Sequence, residues 1–84
     1  MLLNYYPIYI PVSRPTLEVE MPRDSKIIHA TMRTQDTLML YTESNVRNVN
    51  EKRYFKLYKP GEQLDGTFVS SVEHASRIYF LYEL

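Results

Sequence analysis

The chain has 84 residues, with ten Lys+Arg against ten Asp+Glu, no cysteine, no tryptophan, eight tyrosines and three phenylalanines. That length predicts one domain over residues 1–84 and excludes a two-domain enzyme, since domains usually need roughly 100 residues each. The 13% aromatic content excludes a disordered tail, no apolar run nears the roughly 20 residues of a membrane span, and the lack of cysteine removes disulfide frameworks and zinc ribbons. A domain this small buries only about 60–65% of its unfolded surface, so a second copy or a partner would add to its stability. The zero net charge argues against generic binding to nucleic acid or anionic membrane, where a basic excess is the usual footprint.

The first residues carry no cation, and Pro7, Pro11 and Pro15 interrupt any helix, which predicts no secretory signal. Between them the chain is apolar and aromatic. Proline cannot donate to a strand ladder, so residues 1–15 read as a proline-punctuated arm or an edge strand. Tyrosine clusters are typical of interface cores, which makes Tyr5, Tyr6, Ile8, Tyr9 and Ile10 candidates for self-association or docking.

From residue 16 the period is two. Leu17, Val19 and Met21 alternate with Glu18 and Glu20, the mark of a half-buried strand. Pro22, Arg23, Asp24 and Ser25 read as a turn with the proline at its first central position. Ile28, Ala30 and Met32 then share a face opposite His29, Thr31 and Arg33. A polar connection at residues 34–36 leads into a strand with Leu38 and Leu40 opposite Met39 and Tyr41. Residues 44–51 carry three asparagines and no aromatic, which predicts a loop. Residues 52–58 form the next strand, Pro60-Gly61 a turn, Gly66 a second turn, and residues 67–73 another strand. His74, Ala75 and Ser76 make a tight connection before a closing strand with Ile78, Phe80, Tyr82 and Leu84 on one face. The one possible helical turn, residues 71–76, has β-formers on both sides. The prediction is an all-β protein, a small antiparallel β-sandwich or open barrel of six to seven short strands.

Few residues offer chemistry. Ser70, Ser71, Glu73 and His74 are close in sequence, but a strand sets Ser70 and His74 on one face and Ser71 and Glu73 on the other. His29 and His74, the two histidines, stand outside any ligand-spaced motif, so no metal site is expected. Glu18 and Glu20 share a face that a solvated strand edge explains. Gly61 and Gly66 make neither a P-loop nor a dinucleotide fingerprint. No catalytic residue and no cofactor is predicted.

One constellation stands out. Residues 52–59 hold four of the ten cations, and Lys52, Tyr54, Lys56 and Tyr58 share one face while Phe55 and Leu57 take the other. A cationic and aromatic face can grip an acidic protein groove, or stack bases while neutralising phosphates. It can also be an ordinary solvent face whose lysine stems cover rings. His29, Arg33 and Arg77 would extend it if their strands are neighbours. The tyrosines fall into three groups: the arm, the lysine-flanked strand and the closing strand. The first two read as available to a partner.

Several segments carry a resemblance: Tyr6-Pro7; Thr16-Leu17-Glu18-Val19-Glu20-Met21-Pro22; Ser25-Lys26-Ile27-Ile28; Leu38-Met39-Leu40-Tyr41; Lys52-Arg53-Tyr54-Phe55-Lys56-Leu57; and Ile78-Tyr79-Phe80-Leu81-Tyr82-Glu83. In this order the chain resembles, over most of its length, a family of short tailed-bacteriophage all-β proteins with no assigned activity. It departs from the family pattern at Asp24-Ser25, where Gly-Ala is usual, at Tyr41, where the family has Trp, and at Lys59-Pro60-Gly61, which replaces Gly-Thr-Gly. The resemblance implies a phage origin and an accessory role in the host cytoplasm. The expectation is a non-enzymatic protein that binds and occludes a host or defence protein, with Lys52, Tyr54, Lys56 and Tyr58 in contact and a homo-oligomer formed through the arm. The alternatives are nucleotide or single-stranded nucleic-acid binding on the same face, or a minor structural virion protein.

Overall fold

A computed structural model describes residues 16–34 and 36–84, together with the backbone of residues 6–11. Its elements are β1 (Tyr6–Pro11), β2 (Leu17–Pro22), β3 (Lys26–Thr34), β4 (Thr37–Glu43), β5 (Asn50–Tyr58), β6 (Thr67–His74) and β7 (Arg77–Glu83). They form two antiparallel sheets, one in the order β1-β4-β3 and the other β2-β5-β7-β6. β3 lies against β6 and β1 touches β2, so the sheets face each other as a flattened open barrel. The predicted all-β architecture is the observed one.

The alternation explains the core. Leu17, Val19 and Met21 of β2 are buried while Glu18 and Glu20 are exposed. Leu38 and Leu40 of β4 are fully buried and meet Ala30 and Met32 of β3, Phe55 of β5, Val72 of β6 and Leu81 of β7. Each large apolar side chain so buried contributes about 1.5–3 kcal/mol.

On β3 the expected face fails at one residue. Ile28 is exposed, whereas alternation places it with Ala30 and Met32. Ile27 pairs with Thr42 and His29 with Tyr41, so Ile28 is the extra residue of a β-bulge. The bulge inverts the parity: Ser25 and Ile27 face the interior before it, Ala30 and Met32 after it.

The turns follow local chemistry with one shift. Ser25 N–H donates to Pro22 C=O at 3.1 Å, which makes Arg23 and Asp24 the central residues and leaves Pro22 as the last residue of β2. Asp24 takes φ 64°, the left-handed value that a type II turn requires at that position. The turn at residues 59–62 is as read: Glu62 N–H donates to Lys59 C=O at 3.2 Å, with Pro60 and then Gly61 at φ 92° in the centre. Ala75 and Ser76, both at positive φ, form the two-residue turn between β6 and β7, so residues 71–76 hold no helical turn.

Within the predicted arm, the backbone of Tyr6–Pro11 is an edge strand of the three-stranded sheet, paired along β4 from Tyr6↔Thr42 to Pro11↔Thr37. Pro7 and Pro11 are four residues apart, so both missing N–H groups fall on the same edge. That edge is where a strand tolerates proline, since no ladder bond is lost there. Tyr5 lies outside the described residues, as do the side chains of Tyr6, Ile8, Tyr9 and Ile10.

The connection from β5 to β6 crosses over within one sheet. β5 and β6 both run antiparallel to β7, on either side of it, so they are parallel to each other. Residues 59–66 must therefore travel back along β7, from the level of Tyr58↔Phe80 to that of Thr67↔Glu83.

Candidate functional site: the outer face of the four-stranded sheet

The register places an aromatic cluster on the solvent side of this sheet. Arg53, Phe55 and Leu57 of β5 point inward; Lys52, Tyr54, Lys56 and Tyr58 take the outer parity. Lys56 pairs with Tyr82, Tyr58 with Phe80, and Phe68 of β6 with Tyr82. The Tyr82 ring meets Tyr58 edge-on at 5.5 Å and Phe68 at 5.6 Å between centroids. Tyr54, Phe68 and Ile78 are 43%, 54% and 39% exposed, so three large apolar side chains reach solvent from this one face. Phe80 and Tyr82 are half-buried between them.

Two expectations about this face are corrected. Tyr58 has the predicted parity but is 1% exposed, which removes it from any contact surface. The crossover covers it: its hydroxyl accepts from Asp65 N–H at 3.1 Å and lies 3.5 Å from Asp65 C=O. The closing strand, by contrast, does present aromatics outward, because Leu81 and Tyr79 supply its inner face and leave Ile78, Phe80 and Tyr82 outside. Phe68, Ile78, Phe80 and Tyr82 were not among the predicted contacts. The signal was the same alternation, with Leu81 rather than Phe80 as the core residue.

The charges on the face are largely answered. Lys52 Nζ sits 3.7 Å from Glu18 Oε1, and Tyr54 donates to the same oxygen at 3.3 Å. Lys56 Nζ lies 4.9 Å from the centroid of the Tyr58 ring, a cation–π position. His29 and Arg33 belong to β3 in the other sheet and do not extend the patch; His29 instead tilts against Tyr41 with centroids 5.9 Å apart.

Within the barrel, at the end where β5 begins and β7 finishes, the arrangement is polar and closed. Arg53 donates to both carboxylate oxygens of Glu83, Nε to Oε2 and Nη2 to Oε1, each at 2.6 Å. Its Nη1 donates to Ser25 C=O at 2.6 Å and touches Met21 sulfur at 3.3 Å. Ser25, Ser44 and Thr42 continue as a buried hydroxyl chain, at 2.7 Å and 3.0 Å. The hydrogen bond to Glu83 raises the Arg53 pKa above the ordinary arginine value, against the opposing effect of burial. A raised pKa means that the contribution of Arg53 to stability is present below the ordinary arginine pKa and lost only as pH climbs through the raised one. It is therefore constant across neutral pH. Arg53 shares the inward parity of Phe55 and Leu57, the one sequence signal for this group.

Ser70, Ser71, Glu73 and His74 do not come together as a catalytic set. Ser70 and His74 lie on one extended strand, where four residues span roughly 13 Å. Ser70 Oγ donates to Ser71 C=O at 2.9 Å. Among the described residues no group of three or more His, Asp or Glu side chains is placed to hold a metal ion, and no helix is long and apolar enough to cross a membrane. No protein-family model, no curated protein and no solved structure matches the chain.

Proposed function

We propose that this chain is a non-enzymatic binding module of phage origin that occludes a host or defence protein in the host cytoplasm. It would cover the target with the outer face of its four-stranded sheet. The observation that carries the reading is the exposure of Tyr54, Phe68 and Ile78 around half-buried Phe80 and Tyr82 on one side of the sheet. Aromatic anchors on a fixed scaffold lose little side-chain entropy on binding and dominate interface energies. Lys52 and Lys56 form a polar rim. Tyr58, covered by the crossover, packs edge-on against Tyr82 and props it from the side. The mechanism is steric, so no residue needs to act on a bond.

The nucleotide or nucleic-acid reading of this face has less support, because Lys52 is shared with Glu18 and Lys56 lies over a ring. The test is a tagged pull-down from infected host cells with native mass measurement, run in parallel with a Tyr54→Ala/Phe68→Ser variant. One partner held in fixed ratio by the parent and lost by the variant is expected. Recovery of the chain alone, or assembly into purified virions, would overturn the occlusion role.

A further inference from the structure

At the opposite end of the barrel from Arg53, two grooves meet at Arg77 and Tyr79. One, of about 260 Å³, is lined by Lys59, Pro60, Arg77, Ile78 and Tyr79. The other, of about 390 Å³, adds His74 and Ala75. The register explains the gathering. Val72 pairs with Tyr79 on the inner face, and His74 pairs with Arg77 two residues farther on, past the point where the core ends. Lys59 follows β5 alongside them.

Lys59 and Arg77 therefore line the first groove and Arg77 and His74 the second, and among the described residues none of the three has a carboxylate partner. Glu62, in the same turn as Lys59, is taken up by the Lys59 backbone N–H at 2.7 Å. Glu73 pairs with Ile78 and so takes the outer parity. The turn itself is unusual in composition. Ala75 and Ser76 adopt φ 49° and 63°, where Asn-Gly is the usual choice, and Ala75 keeps a side-chain amide out of the second groove.

We propose that these adjoining grooves together bind a small phosphate monoester. The Arg77 fork and Lys59 meet the phosphate oxygens, His74 offers a further donor, and an apolar or aromatic body lies against Tyr79, Pro60 and Ile78. Guanidinium matches phosphate geometry through paired N–H bonds, and the combined space suits a compact ligand. The site does not depend on the occlusion role proposed for the outer face.

The experiment is an amide NMR titration of the ¹⁵N-labelled protein with phenyl phosphate, with inorganic phosphate, and with sodium chloride at matched ionic strength. Saturable shifts are expected at Lys59, His74, Arg77 and Tyr79, with phenyl phosphate binding more tightly than inorganic phosphate. Arg77→Gln should weaken phenyl phosphate binding by about tenfold or more, the loss of one charge-assisted contact. Its signal dispersion reports that the fold is kept. Lys59→Gln is a second variant with the same expectation, and Phe68→Ser should bind phenyl phosphate like the parent. Shifts that merely follow ionic strength, or equal affinity in the parent and Arg77→Gln, would overturn the site.

Discussion

The two ends of the barrel each carry an inner-face arginine, and the two are treated in opposite ways. Arg53 is held by both oxygens of Glu83 and by Ser25 C=O, beside a buried run of hydroxyls. Arg77 stands at an open groove with Lys59 and His74 and without an acid. The difference teaches that the charge balance of the whole chain says little about its parts. A guanidinium enclosed with its carboxylate closes a structure, while one left without an acid is available to something from outside.

Removing the closed-end pair has the largest expected effect. Arg53→Ala strands the Glu83 carboxylate and the Ser25 carbonyl, at a cost of about 3 kcal/mol, less than for a fully enclosed pair because the two side chains keep some solvent contact. A urea midpoint measures it; a loss below about 1 kcal/mol would mean that water replaces the arginine. Arg53→Met with Glu83→Leu should recover most of that stability, since it leaves no orphan charge.

Gly66 comes next. It sits at φ 89°, and a methyl group there would run into the backbone carbonyl of Glu83. Gly66→Ala should cost about 2 kcal/mol or more, against about 1 kcal/mol for Gly61→Ala, where φ is similar but the space is open. Equal losses in thermal melts would show that the Glu83 strand end gives way.

At the open end the expected changes are smaller. Ala75→Asn with Ser76→Gly should stabilise the β6–β7 hairpin by about 1 kcal/mol, because it removes two strained left-handed residues. Arg77→Gln should leave stability within about 0.5 kcal/mol of the parent. A large loss on Arg77→Gln would mean that both arginines are structural, and the contrast would disappear.

Strand positions and most inner faces were legible, because period-two alternation reports a half-buried strand directly: β2, β4 and β7 begin and end close to where Leu17, Leu38 and Arg77 suggest. The failures share a cause. Ile28 was misplaced by a bulge that is set by its pairing with β4, and Tyr58 by a crossover that depends on β7 inserting between β5 and β6. Both arise from contacts distant in sequence. Of the candidate site, Lys52, Tyr54 and Lys56 were legible from their own strand. Phe68 and Tyr82 were not, since only the sheet order brings β6 and β7 beside them.

The crossover over Tyr58 also sets an order of events in time. The β6–β7 hairpin is local and can form alone on a microsecond scale, but its docking onto β5 must wait for residues 59–66 to close a longer loop. Contacts that form last are the ones whose loss governs the unfolding rate. The Asp65–Tyr58 clasp holds the crossover over the β5–β7 junction, on the same face that offers Tyr54 and Phe68 to a partner. A target seated there would hold the clasp shut, and the bound protein would outlast the free one by unfolding more slowly.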